Sequence, residues 1–222
     1  MEIIVEGKGE SFVTPNQVVL HLHFFVKGDN YEGVLEKGSA NVLTFINTIL
    51  LAQGFAKEEL KTSSFVIKKE LEYNESTRTY DFVGYSYNQN ATLQFGYDKE
   101  KLATMMEEIA KMTNPPFYEV DFTLEDIEAC RRVNLTKAYK DAEAQAQILA
   151  DAASKTLKGC IKVDFQPITT DYSSGGFKSD MLFEESVSMG MAKMSASKTI
   201  NAVFTPEDVH VFEKLYCLWI AE

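Results

Sequence analysis

Between Val18 and Val26 the chain reads VVLHLHFFV, with Val18, Leu20, Leu22, Phe24 and Val26 at every second position. A period of two puts these side chains on one face of a strand and His21 and His23 together on the other. Thr14-Pro15 marks the entry to that strand. Gly7 and Gly9, just upstream, lead into a strand rather than a helix, so they do not form a phosphate-cradling loop. They are read as bending or bulging the backbone between two strands.

The period then changes. Tyr31, Val34, Leu35, Val42, Phe45, Ile46, Ile49 and Leu50 fall at helical spacing, and Gly54 stands where a C-cap belongs. Two alternating stretches follow, Ser63 to Tyr73 and Val83 to Phe95, which predict a long hairpin turning around Asn74 to Arg78. Asp98 is placed to cap a second helix over Lys99 to Met112, ended by Asn114-Pro115-Pro116, and Phe117 to Leu124 is a short strand. From residue 16 to 124 the order is therefore βαββαβ, the ferredoxin-like order in which two helices cover one face of a sheet.

The predicted class is α+β, with an antiparallel or mixed sheet backed by helices. A long helix over Glu125 to Ser154 extends it, striped with Leu135, Ala138, Ala142, Ala146, Leu149 and Ala153, small enough to let a sheet approach closely. Strands are predicted at Cys160 to Gln166, Thr199 to Phe204 and Val209 to Ile220, although the last also fits a helix by spacing. Residues 169–198 are rich in serine, glycine and methionine without a period, which predicts a flexible insertion in a single domain spanning residues 1–222.

Charge narrows the partners. With 33 acidic against 22 basic side chains the net charge is −11, and no basic patch offsets it, so nucleic acid is not an expected partner. No apolar run reaches the roughly 18 residues of a membrane span. MEIIVEGKGE has neither the basic start nor the apolar core of a secretory signal, which places the chain in the cytoplasm as given; export with the signal removed is the alternative. Cys130, Cys160 and Cys217 are odd in number, widely spaced and without CxxC, so they are read as small buried apolar residues.

GKGE near the start, GFAKEELKTSSFVIKKELEY at 54–73, VGYSYNQNATLQF at 83–95 and LTKAYKDAEAQAQILADAAS at 135–154 together resemble the SIMPL-domain family, widespread bacterial proteins of undefined biochemical activity. The family's blocks are built around a Gly-Ile-x-x-x-x-Ile-x-Thr turn and a Gly-Tyr-x-x-x-Asn strand, which GFAKEELKT at 54–62 and GYSYNQN at 84–90 resemble, and around an alanine-rich helix. The resemblance implies an α+β fold, self-assembly, and links to envelope integrity and oxidative stress. It supplies no catalytic residues, and the insertion at 169–198 follows no family pattern.

Candidate chemistry is sparse. His21 and His23, joined by His210 if the final strand runs nearby, could hold a metal ion or small ligand, against the alternative of exposed or interface histidines. Met189, Met191 and Met194, with Met181 upstream, could present thioethers to Cu(I), or pack as an adaptable surface against another subunit. No GxSxG elbow occurs, and the acidic pairs Glu58-Glu59, Glu107-Glu108 and Glu184-Glu185 read as solvated surface, so neither an enzyme nor a cofactor is expected, and an enzyme of unassigned reaction stands as the third alternative. Tyr73, Tyr80, Tyr85 and Tyr87 crowd the hairpin, and Tyr85 and Tyr87 join the three methionines as candidate interaction residues. The expected function is a non-enzymatic, self-associating scaffold whose partner is a second copy of the chain or another protein.

Overall fold

The alternation at residues 18–26 forms a strand as expected, and it sits at the centre of a four-stranded sheet. The structure, a computed structural model, describes residues 1–168 and 205–222. The insertion at 169–198 and the strand expected over 199–204 lie outside the described residues. Its elements are β1 (Glu2–Val13), β2 (Gln17–Gly28), α1 (Tyr31–Phe45), β3 (Lys61–Asn74), β4 (Thr79–Gly96), α2 (Lys99–Lys111), β5 (Phe117–Thr123), α3 (Ile127–Ala152), β6 (Leu157–Asp164) and β7 (Val209–Ala221). The chain divides into two units. One holds Met1–Ser11, Val211–Glu222 and the described part of Glu128–Thr199, and the other holds Phe12–Ile127 with the described part of Ile200–His210.

The second unit is the ferredoxin-like half. Its sheet runs β3-β4-β2-β5, with β2 antiparallel to both β4 and β5, and β3 antiparallel to β4. That order puts the first and third strands of the βαββαβ unit, β2 and β4, in the middle and the second and fourth, β3 and β5, at the edges. Asn30 caps α1 by accepting from the Gly33 amide at 2.7 Å, and Asp98 caps α2 by accepting from the Glu100 and Lys101 amides at 3.0 Å. The helix predicted over 31–52 continues past α1 as one π-helical turn, Ile46–Leu50, and Gly54 ends it at φ 81°. Val18, Leu20, Leu22, Phe24, Ala91 and Leu93 on the sheet pack against Val34, Phe45, Leu50, Leu102, Met105 and Ile109 from the helical side, all buried. The opposite sheet face carries His21, His23, Asn88, Asn90 and Thr92.

The first unit places α3 with the three-stranded sheet β1-β7-β6. Ala138, Ala142, Ala146 and Ala150 recur every fourth residue along α3 and are all buried, packed with Ile3, Val5, Leu215, Cys217 and Trp219. Here the reading of the early glycines needs correction. β1 runs unbroken through Gly7 and Gly9. A Cβ on Gly7 would lie 2.0 Å from the Ala138 carbonyl oxygen, and one on Gly9 1.9 Å from that of Asn134. The glycines are there because helix backbone and strand backbone touch. Buried Asn134 fastens the same contact, its Nδ2 donating to Ser11 Oγ at 2.9 Å and to the Val211 carbonyl at 2.8 Å.

Candidate functional site

Two features of the ferredoxin-like unit stand out from its packing: the polar sheet face and the far end of the β3–β4 hairpin. On the polar face, His21 Nε2 lies 3.2 Å from Asp121 Oδ2 on β5, and its Nδ1 lies 3.5 Å from Thr92 Oγ1 on β4. His23 Nε2 lies 3.3 Å from Asn88 Oδ1, and Asn88 Nδ2 donates to Ser86 Oγ at 3.0 Å. Ser86 in turn donates to Glu70 Oε1 at 2.5 Å, and Glu70 is 4.0 Å from Lys27 Nζ. This chain of contacts crosses from β2 to β3 through β4. The donors and acceptors match if each Nε2 carries its proton.

The same face forms a groove of about 480 Å³, lined by His21, His23, Ser63, Asn90, Phe117 and Glu119 among others. Phe117 is exposed and stacks with His23 at 6.0 Å. The groove offers hydrogen-bonding groups beside an aromatic ring. Ser86 does not reach the groove: it is fully buried, and its hydroxyl donates to Glu70.

The structure brings His21 and His23 to this groove and leaves His210 out of its lining. His210 instead stacks on Phe12, ring centroids 4.4 Å apart and nearly parallel. Among the described residues no group of three or more His, Cys, Asp or Glu side chains is arranged to hold a metal ion. Met189, Met191 and Met194 lie outside the described residues.

The hairpin differs in character. β2 ends where Gly28 faces Tyr85, so Thr79 to Gly84 of β4 have β3 alone as a neighbour. Gly84, at φ 136°, and a register shift between Glu70 and Leu71 mark the point where the two-stranded arm leaves the sheet. Beyond it the large apolar side chains face water: Leu71 is 56% exposed, Tyr80 69% and Phe82 51%, with Tyr73 and Val83 similar. Tyr85 sits at the root of the arm, its ring edge-on to Tyr31 and Phe82. Tyr87, two residues further, is only 2% exposed and belongs to the core, with the half-exposed Phe65 ring edge-on to it. Tyr85 and Tyr87 share the inward parity of Ala91, Leu93 and Phe95, so parity does not separate them; Tyr85 is half-buried because β2 ends opposite it, whereas Tyr87 lies deeper, opposite Val26.

A family model described as SIMPL, a protein of unknown function (DUF541), matches residues 3–211. The chain belongs to the SIMPL family. No curated protein matches it closely enough to count as a relative. Membership in SIMPL assigns no reaction, so the surfaces of this SIMPL chain carry the functional reading. Among the described residues no helix is long and apolar enough to cross a membrane.

Proposed function

We propose that this SIMPL protein is a non-enzymatic, self-associating interaction protein, and that copies join through β3 and the arm it forms with β4. The observation that carries this reading is the arm itself, a two-stranded ribbon that leaves its apolar side chains in water. A ribbon of two strands is marginal alone, and exposed apolar surface of this kind marks a contact site. β3 is also an edge strand, so its outer backbone groups await a strand partner.

A second copy suits that edge. Basic Lys68 and Lys69 are followed by acidic Glu70 and Glu72, so an antiparallel copy of β3 sets the basic stretch of each chain against the acidic stretch of the other. A chain with net charge −11 gains little from indiscriminate contact with its own kind, which makes a local, self-complementary stretch the means of association. The SIMPL match includes segments of both units, which supports treating them as one functional module.

Sedimentation of the full chain tests this. Wild type is expected to assemble, Leu71→Lys with Phe82→Lys to sediment as a monomer with unchanged far-UV circular dichroism, and Lys68→Glu with Lys69→Glu to weaken assembly. A monomeric wild type, or an assembly indifferent to the arm substitutions, removes the proposal.

The groove favours a second reading, binding of a small neutral polar ligand between Asn90, His21 and the exposed Phe117 ring. Calorimetry with a panel of monosaccharides checks it. Heat that disappears in His21→Ala supports it, and no heat from any of them counts against it.

A further inference from the structure

We propose that Cys160 and Cys217 are a redox-active thiol pair that a peroxide oxidises to a disulfide joining β6 to β7. The two strands are antiparallel neighbours, with Cys160 opposite Trp219 and Val163 opposite Cys217. Cys217 and Trp219 are buried on the side packed with α3, and Cys160 packs against the same cluster, diagonal to Cys217. Diagonal cross-strand positions lie roughly 7–8 Å apart, just beyond the span of about 4.4–6.8 Å between Cα atoms that a disulfide bridges. The register shifts between Cys160 and Lys162, leaving Ile161 as the extra residue. A bulge is where a strand can give, so the adjustment falls at Cys160 itself.

The two thiols are unlike. Cys160 is half-buried, with Sγ 3.2 Å from the Lys162 carbonyl, and a small oxidant can reach it. Cys217 is fully buried; burial first, and then the neighbouring Cys160 thiol, push it up to about 12. It stays protonated at neutral pH and does not itself meet the oxidant. Tyr139 of α3 packs on Trp219 at 5.6 Å and is pushed up by its own burial and then by Cys160, which places all four side chains in one cluster.

The step balances with a peroxide as oxidant. The Cys160 sulfur attacks one peroxide oxygen, the S–O bond forms as the O–O bond breaks, and the departing hydroxide leaves as water with the Cys160 proton. The Cys217 sulfur then attacks the Cys160 sulfur. The S–S bond forms, the S–O bond breaks, and the hydroxyl departs as a second water with the Cys217 proton. Two thiols are oxidised and one peroxide is reduced to two waters.

The full chain treated with hydrogen peroxide tests the pair. Of its three thiols one is expected to remain titratable in denaturant. A non-reducing peptide map is expected to join the Cys160 and Cys217 peptides within one chain. Trp219, the single tryptophan, should lose fluorescence and regain it on adding dithiothreitol. Cys130→Ser should behave as wild type, while Cys160→Ser and Cys160→Ala, at a half-buried position, should abolish the crosslink and the reversible quench. Oxidation that stops at a sulfenic or sulfinic acid on Cys160 with Cys217 still titratable overturns the proposal, as does a crosslink through Cys130 or between chains.

Discussion

In the three-stranded unit the helix meets the sheet through alanine and glycine, whereas in the four-stranded unit phenylalanine, leucine and methionine fill the space between helices and sheet. Ala138, Ala142, Ala146 and Ala150 bring α3 down until its carbonyls stand where the side chains of Gly7 and Gly9 would be. Phe24, Phe45, Leu102 and Met105 instead hold α1 and α2 away from the other sheet with interlocking side chains. The difference teaches that a buried helix can be secured by what is absent from its face as well as by what fills it, and the two kinds of contact should fail in opposite directions.

Truncation should hurt most where the core is built of large groups. Phe24→Ala, which removes a fully buried ring edge-on to Phe45, is expected to cost about 3–5 kcal/mol in urea unfolding followed by circular dichroism. Addition should hurt most in the other unit. Gly9→Ala puts a methyl group on the Asn134 carbonyl, where only backbone movement can relieve it, and is expected to cost about 3 kcal/mol. A loss below about 1 kcal/mol would show that α3 slides freely and that the close approach is not enforced.

Gly38 on α1 sharpens the contrast, because it is a glycine in the side-chain-filled unit. Its Cβ would stand 2.3 Å from the Tyr87 ring, a side chain rather than a backbone group. Alanine there also gains about 1 kcal/mol of helix propensity, so Gly38→Ala is expected to cost a net of about 1–2 kcal/mol, less than Gly9→Ala. Equal losses at the two positions would mean that the ring is as immovable as the carbonyl.

Much of the ferredoxin-like half was legible because period and punctuation agreed: alternation at 18–26 and 83–95, helical spacing from Tyr31, Asn74 to Arg78 at the turn, and Asp98 at a helix start. The final strand, ambiguous with helix by spacing, is β7, in which Val211, Leu215, Cys217, Trp219 and Ala221 face inward at odd positions. Gly7 and Gly9 were misread for an instructive reason. Ile3, Val5, Gly7 and Gly9 all take inward positions of one strand, so the period of two continues through residues with no side chain to display it. The alanine stripe of α3 was the matching half of that signal, but nothing in the local sequence links residues 125 apart. The groove was half visible: two histidines two apart had to share a face, while the approach of Asp121, Asn88 and Phe117 depends on which strands become neighbours.

The smallest effect should come from the rim of the alanine-packed unit, where Glu6 accepts a hydrogen bond from Tyr216 across the β1–β7 pair and lies 3.0 Å from Lys8. The Tyr216 hydroxyl first, and Lys8 second, hold the Glu6 carboxyl below its usual value of 4.5. A carboxyl depressed in the folded state adds stability that is fully present above its unfolded value and is lost as pH falls through the folded one, so this contribution fades below about pH 4.5. Because the carboxylate is partly open to solvent, the contribution is expected to stay under about 1 kcal/mol. Glu6→Gln keeps an acceptor for Tyr216 and removes the titration. Between about pH 6 and pH 3 its urea midpoint should therefore fall slightly less than that of wild type. A variant that loses as much as wild type over that range would show that Glu6 is equally acidic folded and unfolded.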